Sequence, residues 1–173
     1  MKRISILLAV IGFFGMQSCT INENEPQQLS PDNDTISEVF EVTKSFNIGN
    51  QFSNLITYPI RLFPSDVVLV YRLTNLNPSS TDIWQPLPKT YYFANGSRDF
   101  SFEYDFTQLD LNIYIAGNDL TTLPNEFKTN QTFRIVIVPA NFANKNSKLD
   151  LLSYKEIIAK YKIDDTKIKS LDY

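Results

Sequence analysis

From residue 36 onward, apolar and polar side chains alternate in short runs, each closed by a cluster of Asn, Pro, Ser or Gly. A period of two puts successive side chains on opposite faces of an extended chain, so this texture predicts β-strands with one face in a core and the other in water. The runs fall at Ile36 to Phe46, Phe52 to Tyr58, Val67 to Leu73, Lys89 to Ala94, Ser97 to Phe106, Leu109 to Ala116 and Phe133 to Val138. Asn95-Gly96 joins two of them, and Asn-Gly between alternating runs predicts a type I′ hairpin. In its second arm Phe100, Phe102, Tyr104 and Phe106 share one face, expected in the core. Asp99, Ser101, Glu103 and Asp105 share the other, expected in water.

Val67-Val68-Leu69-Val70 is apolar at every position, which predicts a strand buried on both faces. Gly49 and Gly117 mark further turns, and no βαβ rhythm or internal repeat is present. The predicted fold class is all-β: an antiparallel β-sandwich of about seven to eight strands with one short C-terminal helix. Ser153 and Glu156 have the spacing of a capping box, and Leu151, Tyr154, Ile157, Ile158 and Tyr161 form an apolar helical stripe. The stripe is expected to lid one end of the sandwich.

Before residue 36 the pattern changes twice. Lys2 and Arg3 precede an apolar run from Ile4 to about Phe14, and Gly15-Met16-Gln17-Ser18-Cys19 follows, the layout of a secretion signal too short to span a bilayer. With Cys19 at its boundary the leader resembles a bacterial lipobox, which makes Cys19 the lipidated first residue of the mature chain. The alternative is an ordinary signal with a chance cysteine. Residues 20–35 are polar and acidic, with Pro26 and Pro31, and bury too little to fold. A flexible coil of that length holds a domain on the order of 20–25 Å from a lipid surface. The organisation is therefore a leader over 1–18, a lipidated cysteine and tether over 19–35, and one domain over 36–173. Asp34-Thr35-Ile36 resembles a short O-glycosylation acceptor centred on Thr35, with an unmodified linker as the alternative.

Ser65 to Arg72, Asp82 to Pro88, Phe133 to Ala140 and Tyr154 to Asp165 resemble a family of small uncharacterised lipoproteins of flavobacterial, Bacteroidetes type. Some members of that family carry a collagen-like Gly-X-Y stretch after the lipidated cysteine, which this chain does not have. The resemblance implies a lipid anchor and a single domain only, and no activity, ligand or catalytic residue. The expected location is the bacterial cell envelope, at the outer membrane on its periplasmic or surface side.

Composition narrows the chemistry. The chain has no histidine and only one cysteine, which removes the commonest general base, the Ser-His and Cys-His nucleophile pairs and the usual zinc, copper and iron ligands. No Gly-x-Gly-x-x-Gly occurs, and no thiol is left for a disulfide once Cys19 is acylated. Of 16 basic and 19 acidic residues, Lys2 and Arg3 leave with the leader, taking the net charge from −3 to −5 and arguing against a nucleic-acid partner. Asp32-Asn33-Asp34 and Asp164-Asp165 lack the spacing that wraps a calcium ion, so no metal and no cofactor are expected.

Two candidate sites remain. Glu103 and Asp105 share a strand face about 6.7 Å apart, within the range of an inverting glycosidase pair. The solvated face of an antiparallel strand produces the same alternate acids and is the preferred reading. Trp84, Tyr91 and Tyr92 could form an exposed aromatic platform for a glycan or a protein partner, or could be packed residues. The expectation is a lipid-anchored, non-catalytic binding or structural module, with a carbohydrate-active enzyme using Glu103 and Asp105 as the alternative. A glycan, an envelope protein and a purely structural role stay open.

Overall fold

The computed structural model describes residues 37–74, 81–139 and 153–171. The leader, Cys19, the tether, Thr35, Ile36 and Leu151 lie outside the described residues.

The described chain is an all-β sandwich of nine strands in two sheets with one helix. The strands are β1 (Glu38–Lys44), β2 (Ser53–Thr57), β3 (Val67–Leu73), β4 (Trp84–Pro86), β5 (Lys89–Tyr92), β6 (Arg98–Phe106), β7 (Asp110–Gly117), β8 (Gln131–Val138) and β9 (Lys169–Ser170), with the helix α1 (Tyr154–Tyr161) between β8 and β9. One sheet has the order β4-β3-β8-β1-β9 and the other β2-β7-β6-β5. Pairing is antiparallel except for β1 with β9, which run parallel.

All seven predicted runs form strands. The excess over that number is β4 and β9, whose three and two residues are too short to show a period. β4 ends in Pro86 and forms a sheet edge, where a missing N–H costs no ladder bond.

The inner faces meet as the alternation requires. Phe40, Val42, Val68, Val70, Phe133, Ile135 and Ile137 from one sheet pack on Ile56, Phe100, Phe102, Leu111, Ile113 and Ile115 from the other. Phe46, Phe102 and Phe133 meet edge-on or tilted at 5.8–6.1 Å between ring centres, the geometry aromatic quadrupoles favour. In β6, Phe100 and Phe102 are buried and Tyr104 is half-buried, but Phe106 stays exposed because it belongs to the last pair of β6 and β7, at the rim.

Three expectations are corrected. The turn after β5 is not a two-residue type I′ turn: Gly96 N–H bonds the Phe93 carbonyl at 2.9 Å, Phe93 N–H bonds the Ser97 carbonyl at 2.9 Å, and only Gly96 has positive φ, at 83°. This is a three-residue loop with glycine at its left-handed position, and Asn95 instead accepts from the Ser97 backbone at 3.0 Å. The helix does not lid one end. Tyr154 and Ile157 lie on Val39, Leu69, Tyr71, Val136 and Val138, the outer face of the five-stranded sheet. That is why Val67 to Tyr71 is apolar at every position. Finally, Ser101 is buried although it sits on the wet parity, because Arg98 Nη2 folds back onto its hydroxyl.

Helix α1 starts as predicted: Ser153 Oγ accepts from the Glu156 amide at 3.4 Å and Glu156 Oε2 accepts from the Ser153 amide at 2.7 Å. It ends at Lys162 in a left-handed conformation. Asp164 then accepts from the Thr166 amide at 3.2 Å and Asp165 from the Tyr154 hydroxyl at 3.2 Å, so both acids organise the turn after the helix.

Candidate functional site

The predicted aromatic group is divided among three surroundings. Trp84 is half-buried on the outer face of the five-stranded sheet. The Arg134 guanidinium lies 4.1 Å from its ring centre and the Tyr154 ring 5.7 Å away. Arg134 in turn donates to Glu41 at 3.0 Å. Trp84 is therefore part of the seam between helix and sheet. Tyr91 points into the sandwich, stacked on Phe100 at 4.6 Å and 10°. Tyr92, next in sequence and so on the opposite face, is 65% exposed. No common platform results.

Glu103 and Asp105 stand together on the outer face of the four-stranded sheet, opposite Tyr114 and Asn112 respectively. Arg98 Nη2 bonds Glu103 Oε1 at 2.9 Å and Ser101 Oγ donates to the same oxygen at 2.5 Å. The Tyr114 pKa is pushed up, first by desolvation and then by the Asp105 and Glu103 charges. Glu103 is tied to its neighbours and Asp105 is exposed to solvent. A general acid and base need a walled position for the bond they cleave.

Strand alternation carries polar groups inward at the end of the sandwich beside β4 and β5. Arg72 follows Val68 and Val70 on the inner parity of β3, and Gln131 precedes Phe133 and Ile135 on that of β8. Gln85 pairs with Arg72 across β3 and β4. Arg72 is only 6% exposed. Its Nε donates to Gln131 Oε1 at 2.8 Å and Nη2 to the same oxygen at 2.5 Å. Nη1 donates to the Tyr91 hydroxyl at 3.1 Å, which in turn donates to Gln85 Oε1 at 3.1 Å. Nη2 also reaches the Glu126 carbonyl at 3.4 Å.

The guanidinium lies 4.5 Å from the Phe102 ring centre and 5.5 Å from that of Phe127, so aromatic faces take up part of its charge. No carboxylate is within ion-pair distance of Arg72 among the described residues. Burial consequently pulls its pKa down, against smaller opposing effects of Tyr91 and the Glu126 charge. Gln131 Nε2 donates to the carbonyls of Glu126 at 3.0 Å and Thr129 at 2.7 Å, which pins the segment between β7 and β8 beside the arginine. A cleft of about 420 Å³ opens here, with Arg72, Leu73, Gln85, Tyr91, Phe127 and Gln131 in its walls.

Of the predicted site residues, only Tyr91 belongs to this cleft. The signal for the others was present: an arginine and a glutamine continue the apolar parity of their strands. It becomes interpretable only when β3 and β8 are known to be neighbours with those residues at the same end. No protein-family model matches the chain, and no match was found among curated proteins or solved structures.

Proposed function

We propose that this chain is a lipid-anchored protein of the bacterial cell envelope that binds a ligand without transforming it. Export and anchoring rest on the leader and Cys19. The binding role rests on one observation, the Arg72 cleft at the end of the sandwich remote from the point where the tether joins. The chain joins β1 at Glu38, whereas the cleft lies beside Gln131, which pairs with Lys44 at the far end of that strand. Six strand steps separate these ends by about 20 Å. A domain tethered through Glu38 can therefore present the cleft away from the lipid surface.

Binding is preferred to glycoside hydrolysis through Glu103 and Asp105 because Glu103 already holds Arg98 and Ser101 on an open face. The test is protease shaving of intact cells with tagged wild type beside Cys19→Ala. Removal of the wild type by external protease, with release of the Cys19→Ala form from membranes, supports a surface anchor. A wild type that fractionates as soluble would refute the anchored reading. A wild type that is membrane-bound but protected moves the domain to the periplasmic side and the ligand search to envelope components.

A further inference from the structure

We infer that the cleft beside Arg72 takes a ligand carrying a single carboxylate, an inference that rests on the binding role proposed above. A guanidinium has five N–H groups, and four are engaged: Nε and one on Nη2 by Gln131, the other on Nη2 by the Glu126 carbonyl, and one on Nη1 by Tyr91. The second N–H of Nη1 has no acceptor among the described residues. Tyr91 accepts from Arg72 and donates to Gln85 Oε1, which orients the Gln85 amide and leaves both Nε2 protons without an acceptor among the described residues. Donors thus stand on both sides of the Tyr91 hydroxyl, and a carboxylate, which brings two acceptor oxygens and no donor, is the complementary group.

The charge balance sets the ligand's charge. A buried cation without an ionic partner is costly, and an incoming anion removes that cost. The site supplies only one positive charge, and Glu126, exposed at the rim, adds a negative field that Arg72 senses. A monoanion fits this balance, whereas a dianion such as a phosphate monoester would keep one negative charge uncompensated and lose more hydration on entry. The cavity volume, about 420 Å³, lies in the range of small-molecule sites, and Leu73 and Phe127 provide apolar wall for a ring or chain behind the carboxylate.

The experiment uses the full lipidated chain in detergent micelles and ligand-observed NMR with matched probes: benzoate against benzamide, glucuronate against glucuronamide, and inorganic phosphate. The expected result is that each carboxylate binds at least roughly tenfold more tightly than its amide. Gln85→Glu, a half-exposed edge-strand change that installs an internal counter-ion, is expected to abolish that preference, and Glu126→Gln to tighten carboxylate binding a few-fold. Amides that bind as well as acids, in a Gln85-dependent way, would overturn the carboxylate assignment and leave the binding role standing. Phosphate binding more tightly than either acid would likewise overturn it. No probe binding at the cleft would count against both.

Discussion

Gln131 gives a single oxygen to two nitrogens of Arg72, at 2.8 Å from Nε and 2.5 Å from Nη2, inside the rim of the core. The pair joins β3 to β8 and, through the Gln131 amide, holds the segment between β7 and β8 against the sandwich. Gln131→Leu keeps the volume and removes every one of these bonds. It is expected to destabilise the domain by about 2–3 kcal/mol in urea unfolding, because a buried guanidinium loses its main acceptor. Gln131→Glu supplies a counter-ion to Arg72 but loses both amide bonds to the Glu126 and Thr129 carbonyls, so it should recover only part of that stability while lowering affinity for added anions. Equal stability of the Leu variant and the wild type would show that the cleft is not organised by this pair.

Trp84 reports on the seam between helix and sheet. With Arg134 over one face and Tyr154 beside it, acrylamide should quench its emission slowly. Trp84→Ala is expected to cost roughly 2 kcal/mol through lost burial and cation–π contact. Tyr92→Ser, at a side chain 65% exposed, should change stability by no more than about 0.5 kcal/mol. Fast quenching would restore the exposed-platform role for Trp84.

Tyr58 is buried and its hydroxyl has no hydrogen-bond partner among the described residues. Burial leaves that group without the water it would bond in the unfolded chain. Tyr58→Phe removes the uncompensated oxygen while keeping the ring, and is expected to raise stability by about 1 kcal/mol. A loss of stability on this change would mean that the hydroxyl makes a bond that the present arrangement does not contain.

Alkali should unfold the domain through its tyrosines. Burial, as the largest cause, pushes the Tyr154 pKa up from 10.0 to about 12, and it drives Tyr58 and Tyr71 further in the same direction. Above pH 10 the unfolded chain releases these protons and the folded one keeps them, so the unfolded state binds fewer and stability falls as pH rises. This contribution is intact below pH 10 and is lost between there and the folded pKa values. Urea midpoints from pH 8 to 11, with phenolate absorbance as the second signal, should show it. The decline should be shallower in Tyr58→Phe, and an unchanged slope in that variant would assign the effect to other groups.

Much of the architecture is legible in the order of side chains. Alternation from Phe100 to Tyr104 and from Leu111 to Ile115 sets which face of each strand is buried, because the pleat allows no other period. Ser153 and Glu156 mark the helix start, since a capping box is a local structure. Where a signal is local but the partner is distant, the sequence alone was insufficient. The apolar positions of Val67 to Tyr71 indicate two buried faces and not what covers the second, which is α1, some eighty residues away. Asn95-Gly96 indicates a tight turn, while the type depends on the bulge at Tyr91 and Tyr92 in the β5 and β6 pairing.

The cleft illustrates the same division. Arg72, Gln85, Tyr91 and Gln131 lie on four strands, and each is an ordinary strand residue in its own segment. By itself the sequence determined seven of the described strands and their buried faces, the helix cap and the absence of histidine. Only tertiary structure decided that the helix lies on the outer face of the five-stranded sheet, that Trp84 is clasped by Arg134, and that a buried cation faces a cleft without an ionic partner among the described residues. The physical reason is that alternation and capping depend on neighbours along the chain, whereas sheet order and the compensation of a buried charge depend on neighbours across it.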